Sequence, residues 1–348
     1  MKKYEFTGET KVIQLLFRKA TLHRIKATVA FGVVKVGDLG GWIEKEENLS
    51  QDGKSWVYGD AEVYGDAKVW GNAEVWGNAK VCGDAKVWGN AEVCGDAEVY
   101  GDAEVYGDAK VWGNAEVWGN AKVCGDAKVY GDAEVYGDAK VWGNAEVWGN
   151  AKVCGDAEVW GNAKVCGDAK VWGNAEVYGD AKVWGNAEVC GDAKVWGNAE
   201  VCGDAEVYGD AKVWGNAEVW GNAKVCGDAK VWGNAKVCGD AKVWGNAEVY
   251  GDAKVWGNAE VCGDAQLFKA EHLLVIGAVG SRNDFTTFFR TKNNEICVSC
   301  GCFLGLIDKF LQAVNKTHKN NKYAIVYKAA VELAKLQIEL TPSEKRED

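Results

Sequence analysis

From Val57 to Gln266 the hydrophobic and polar positions repeat every six residues without a slip. Each hexapeptide reads Val, then Trp, Tyr or Cys, then Gly, then Asp or Asn, then Ala, then Glu or Lys. Thirty-five follow one another, and Gln266 is the one exception at the last place. Read from its alanine, the hexapeptide has four alternating residues and two that turn. Successive side chains of an extended segment point to opposite faces, so Ala and Val share one face and the charge and the Trp, Tyr or Cys share the other. The 34 Glu and Lys side chains cannot be buried, which puts Val and Ala inside. Gly followed by Asp or Asn supplies a corner, because these residues tolerate left-handed backbone angles. No single hexapeptide can bury its own Val and Ala, but stacked coils share a continuous interior, so the pattern predicts a solenoid.

The spacing of Val57 to Ala61, Val63 to Ala67, and every later pair to Val261 and Ala265 resembles the hexapeptide-repeat left-handed β-helix. The resemblance covers about 60% of the chain. It implies a mostly β fold: a single-stranded, triangular, left-handed solenoid of about 18 residues per coil, with nearly twelve coils rising roughly 55 Å at about 4.8 Å each. Handedness comes from the resemblance, not from the pattern. The nearest resemblance within the family is to uncharacterised bacterial or phage hexapeptide-repeat proteins of the transferase-like kind.

Three domains are expected: a β-rich N-terminal cap over residues 1–56, the β-helix over 57–266, and a small α+β domain over 267–348. In the first flank Tyr4 to Phe6, Lys11 to Phe17 and Ile25 to Val36 read as strands, and Gly37 to Ile43 as a degenerate first coil. An open solenoid end exposes apolar residues and strand edges, so a cap is required there. In the second flank Leu273 to Ile276, Phe285 to Phe289 and Ile296 to Ser299 read as strands. Leu306 to His318 and Tyr323 to Leu340 read as helices, the latter with Val326, Ala330, Leu333, Leu336 and Leu340 as its apolar face. Thr341 to Asp348 reads as a frayed tail.

The net charge of −11 is uneven. The repeats carry 18 Lys, 16 Glu and 19 Asp, a balance of −17, which leaves +6 for the flanks. The negative corners argue against nucleic acid as a partner of the repeats. Met1-Lys2-Lys3 is followed by Tyr4-Glu5-Phe6-Thr7 rather than by an apolar run, and no segment is long and apolar enough to cross a membrane. No membrane partner and a cytoplasmic location are the expectation.

Many enzymes on this fold are acyltransferases, and the resemblance implies a histidine base in or beside the coils. Here His23, His272 and His318 all lie outside the repeats, and no loop interrupts the coils to wall in a substrate. Ten cysteines occupy the outward ring position: Cys82, Cys94, Cys124, Cys154, Cys166, Cys190, Cys202, Cys226, Cys238 and Cys262. None is 18 residues from another, so stacked disulfides are excluded on an 18-residue coil, which fits a reducing compartment. Cys297, Cys300 and Cys302 could form part of a zinc site with His272 or His318, but strand alternation separates Cys297 from Cys300. Free thiols, no metal and no cofactor are expected. Asp accompanies every Tyr and Cys and Asn every Trp, a coupling for which the sequence alone offers no physical reason. The turn at Gly280 gathers Arg282, Asn283 and Asp284, followed by Thr286, Thr287 and Arg290, a candidate site for a small anionic ligand or a partner.

Sixteen Trp and nine Tyr occupy the outward position, and three hexapeptides per coil sort them into three rows. The row of Trp70, Trp88, Tyr106, Cys124, Trp142, Trp160, Tyr178, Trp196, Trp214, Trp232 and Tyr250 is aromatic at ten of eleven positions. With roughly half of each ring's 150 to 250 Å² exposed, this face would approach about 1,000 Å², enough for an interface. Two function classes follow. One is a non-catalytic structural or interaction repeat that presents the C-terminal domain and self-associates, or takes a protein partner, through this face. The other is a small-molecule binder or transferase-type enzyme with its site in or beside the C-terminal domain. Ice binding fails because the repeats contain no Thr.

Overall fold

Val and Ala do fill the interior: in the computed structural model, which describes residues 1–15 and 17–340, every repeat Val and Ala is at most 1% exposed. Most hexapeptides form a strand of only the charged residue and Val, as in Glu62–Val63 and Glu74–Val75, while a few continue to the glycine, as in Lys110–Gly113. The strands are therefore shorter than four alternating residues, yet the backbone remains paired. Glu74 N donates to Ala91 O at 2.9 Å, Trp76 N to Val93 O at 3.0 Å and Asn78 N to Gly95 O at 2.8 Å. Alternate N–H groups thus reach the next coil even where the strand gives way to the corner. The pairing is parallel at 18 residues, Val75 to Val93 to Val111 to Val129. The fold is a mostly β solenoid with 18-residue coils.

At the corners glycine alone takes the left-handed angle, with φ between +58 and +76° at every repeat glycine; no repeat Asp or Asn shares it. Stacking enforces this division. A Cβ on Gly89 would lie 2.9 Å from both the N and the O of Gly107 in the next coil, so only glycine fits against glycine.

The chain divides into two compact units, Met1–Asp180 and Ala181–Asp348. In the first, Tyr4–Gln14 pairs antiparallel with Lys19–Ala27, which pairs antiparallel with Leu39–Ile43, which in turn runs parallel to Glu62–Val63. The flank thus continues a solenoid sheet. The two strands expected at Tyr4 to Phe6 and Lys11 to Phe17 are one strand with an irregularity between Phe6 and Thr10, ending at Gln14. The one expected over Ile25 to Val36 stops at Ala27, because a turn at Gly32 brings Phe31 against Val34. The first coil passes close over this flank: a Cβ on Gly40 would lie 2.5 Å from Ile25 Cγ1 and 2.7 Å from Trp56 Cζ2. Tyr4, Leu22, Ile25 and Trp56 are all buried there.

In the second unit the coils end at Gln266–Leu267. Leu273–Val279, Asp284–Arg290, Ile296–Cys300 and Phe303–Leu306 then form an antiparallel sheet in chain order, followed by helices Ile307–His318 and Lys322–Gln337. The strand Phe303–Leu306 was not expected; four residues are too short a run for alternation to stand out. One face of the sheet packs on the helices through Phe288, Val298, Phe310 and Val331. The other face covers the last coil, where Glu260 N donates to Thr287 Oγ1 at 3.0 Å and Ser299 Oγ donates to Glu260 Oε2 at 3.2 Å.

The second helix turns a different face inward from the one expected. Ala324, Tyr327, Ala330, Val331, Ala334 and Ile338 are buried, whereas Val326, Leu333 and Leu336 are 40%, 49% and 86% exposed. Both stripes have helical spacing. The choice falls to the stripe whose small alanines admit the Phe310 and Tyr327 rings, which meet edge to face at 5.4 Å. The tail expected over Thr341 to Asp348 lies outside the described residues.

Candidate functional site

The sequence singled out the Trp70 row and the turn at Gly280. In the first unit the row stacks as Trp70 on Trp88 at 4.9 Å and Trp88 on Tyr106 at 4.3 Å. After Cys124 it resumes with Trp142 on Trp160 at 4.9 Å and Trp160 on Tyr178 at 4.3 Å. In the second unit Trp196, Trp214, Trp232 and Tyr250 stack at 4.9, 4.8 and 4.4 Å. Ring planes within these stacks differ by no more than 5°.

Stacking sets the exposure of this face. Each ring covers its neighbour, so all ten aromatic residues of the row are half-buried and show mainly their edges. Trp76, Trp172, Trp184, Trp220 and Trp256 are the most exposed, at 43 to 65%, and they stand in the other two rows beside cysteines. Where Tyr precedes Cys by one coil the gap is bridged: the Cys124 thiol, hydrogen-bonded to Tyr106, pushes that phenol up to about 12.

Around Gly280 the six residues proposed from sequence do not converge. Thr286 and Thr287 point to opposite faces of their strand, Thr286 Oγ1 to Cys300 Sγ at 3.2 Å and Thr287 Oγ1 to Glu260 N. Arg290, six residues or about 20 Å along the strand from Asp284, is buried, donates to Gln266 O at 3.1 Å and also bonds Asn294. Its guanidinium lies 4.8 Å from the Phe268 ring, so it anchors the sheet to the final coil. Asn283 takes φ +52° and Asp284 Oδ1 accepts from Phe285 N at 2.8 Å, both as turn formers.

What the turn does bring together is Arg282 and the Cys300-Gly301-Cys302 hairpin. Arg282 Nη2 lies 3.4 Å from Cys302 Sγ and holds that exposed thiol below its usual range. Cys300 reaches Tyr327 Oη at 3.9 Å. The sequence signal for this pairing was weak: two tight turns, at Gly280 and Gly301, had to be recognised as meeting at one end of a sheet.

The thirteen cysteines are free thiols. Burial pushes Cys94 and Cys190 up to about 11 and Cys262 to about 12. Cys297 and Cys300 fall on different faces of the sheet, Cys300 toward Tyr327 and Cys297 toward Cys262. Among the described residues no three His, Cys, Asp or Glu side chains are grouped to hold a metal ion. The histidines are packed: His23 stacks on Phe6 at 4.7 Å, His318 lies 5.7 Å from the Tyr323 and Tyr327 rings, and buried His272 accepts from Phe268 N at 3.2 Å. Burial, then the charges of Arg290 and Lys269, bring His272 down to about 4. No helix among the described residues is long and apolar enough to cross a membrane.

No family model matches the chain, and no curated protein matches it. Among solved structures, the chain is similar to one described as a "putative acetyltransferase" from Desulfovibrio desulfuricans G20. The identity is 8%, the TM-score is 0.26, and the match covers 60% of this chain and 65% of that one.

Proposed function

We propose that this is a non-catalytic structural and interaction solenoid of the left-handed hexapeptide-repeat kind. It presents its C-terminal domain and self-associates, or takes a protein partner, through the ring row that begins at Trp70. The observation that carries this reading is the unbroken repeat: thirty-five hexapeptides without an inserted loop leave no wall for a substrate, while the stacked rings give each unit a regular apolar edge. Thirteen free thiols suit a reducing compartment, and a cytoplasmic location is part of the proposal. The test is to replace Trp142, Trp160, Trp196 and Trp214 with Lys. Circular dichroism should keep its β signature while light scattering reports a lower mass. A wild-type protein that is strictly monomeric at high concentration and binds no macromolecule defeats the proposal.

One observation favours a second reading, a small-molecule or transferase site in the C-terminal domain: the exposed Cys302 thiol lies against Arg282. Thermal-shift screening of small anions against wild type and Arg282→Ala tests it, and equal shifts in the two proteins reject it.

A further inference from the structure

The most exposed rings belong to a row that stacking does not fill. In the second unit Trp184, Cys202, Trp220 and Cys238 are successive partners in one parallel ladder, which continues to the coil that carries Trp256. Trp therefore alternates with Cys, and the indoles of Trp184 and Trp220 stand two coils, about 9.6 Å, apart. Where rings of this row adjoin in the first unit they lie parallel, as Trp112 and Tyr130 do with 1° between their planes. Rings in the filled row stack at 4.3 to 4.9 Å, so each Cys leaves a gap one ring thick between two indole faces. Trp184 and Trp220 are each 44% exposed and Trp256 65%.

The ring walls of these gaps have one electrostatic character. Indole faces carry the negative side of the ring quadrupole, and the middle of a gap is about 4.8 Å from each, inside the roughly 6 Å reach of a cation–π contact. The corner beside each cysteine is Asp: Asp204 accepts from Asn186 Nδ2 and Asp240 from Asn222 Nδ2, both at 2.8 Å. On the same outward face as the rings, Lys182 and Lys236 are tied at 2.9 Å to Glu200 and Glu218, so each of these lysines beside the slots is matched by a carboxylate. No phenol closes these gaps, in contrast to the neighbouring row, where Tyr208 bonds Cys226. We infer that Trp184–Cys202–Trp220 and Trp220–Cys238–Trp256 form two slots that bind a flat organic cation, an amidinium or guanidinium carried on a planar group. The width selects a flat guest, and the ring faces and carboxylates select a positive one.

Benzamidinium is the probe and neutral benzamide its isostere, with binding to the full chain read by saturation-transfer NMR titration. Benzamidinium should bind at least tenfold more tightly than benzamide. Trp220→Leu removes the wall common to both slots and should weaken binding at least tenfold; Trp118→Leu, stacked between Tyr100 and Tyr136, should leave it unchanged. Asp204→Asn with Asp240→Asn should weaken it severalfold. Cys202→Trp with Cys238→Trp supplies the missing rings and should abolish binding with the β circular dichroism intact, which separates slot loss from misfolding. Equal binding of benzamide, equal losses for Trp118→Leu and Trp220→Leu, binding that survives the filled slots, or no binding by wild type would each overturn the assignment. The outcome is independent of self-association through the Trp70 row.

Discussion

Replacing Val159 with Asp tests the assignment of inside and outside at one residue. Val159 is fully buried and pairs with Val141 on one side and Val177 on the other. The substitution forfeits the burial of a valine, about 1.5–3 kcal/mol. It also leaves a carboxyl without a partner in an apolar prism, about 1–3 kcal/mol more even when the group protonates. The total of about 2.5–6 kcal/mol stands well above the usual cost of a single substitution, about 1 kcal/mol. Lys164→Glu is the control: Lys164 lies 4.0 Å from Glu146 with nearly half of its side chain in solvent, and its reversal should change stability by no more than about 0.5 kcal/mol. Because solenoid coils contact only their neighbours, the damage should be local. Denaturant unfolding would give the loss, and hydrogen exchange would place it at the coils of Val141, Val159 and Val177. Comparable losses in the two variants, or faster exchange confined to the termini, would refute the buried valine column.

At the corners, Gly89→Ala should cost about 1–3 kcal/mol for its left-handed angle and tight contact, whereas Asn90→Ala should cost about 1 kcal/mol or less; chemical denaturation compares them. Alkylation followed by mass spectrometry should find Cys302 modified first and Cys94, Cys190 and Cys262 last, since Arg282 lowers one thiol and burial raises the others; Arg282→Ala should slow Cys302. His272 has a folded pKa of about 4, below its usual 6.5, so the neutral form belongs to the folded state. The stability this provides is complete above pH 6.5 and is lost as pH falls toward 4, up to about 3 kcal/mol. Thermal melts across that window should show the loss in wild type and not in His272→Phe.

The solenoid was legible because its signal repeats: one misread hexapeptide would have been outvoted by the rest, and Val and Ala alternate with charges that can only face water. The flanks lacked such redundancy. In the second helix, Val326-Leu333-Leu336 and Tyr327-Val331-Ile338 both satisfy helical periodicity, and only the rings of Phe288 and Phe310 on other elements decide which turns inward. The candidate turn failed to gather for a related reason. Arg282 and Arg290 are close in sequence, but an extended strand carries them to opposite ends, one to Cys302 and one to Gln266. Which rings stand out most was not legible from area assigned ring by ring, because stacking makes exposure depend on the residue one coil away.

The same neighbour dependence gives part of a reason for the coupling of Asn with Trp and Asp with Cys or Tyr. In the row of the slots the two kinds of hexapeptide alternate, so Asn78 donates to Asp96 at 2.9 Å, Asn114 to Asp132 and Asn150 to Asp168 at 2.8 Å. Two carboxylates stacked about 5 Å apart near a protein surface repel by about 1–3 kcal/mol. Placing Asn between them doubles that distance, halves the repulsion, and adds a hydrogen bond of about 1 kcal/mol. The coil does not require this, since Asp66, Asp84 and Asp102 follow one another in the neighbouring row. What alternation adds is coincidence. Ring and corner travel on the same hexapeptide, so wherever this row drops a ring to leave a cysteine-floored gap, it also places a carboxylate beside it.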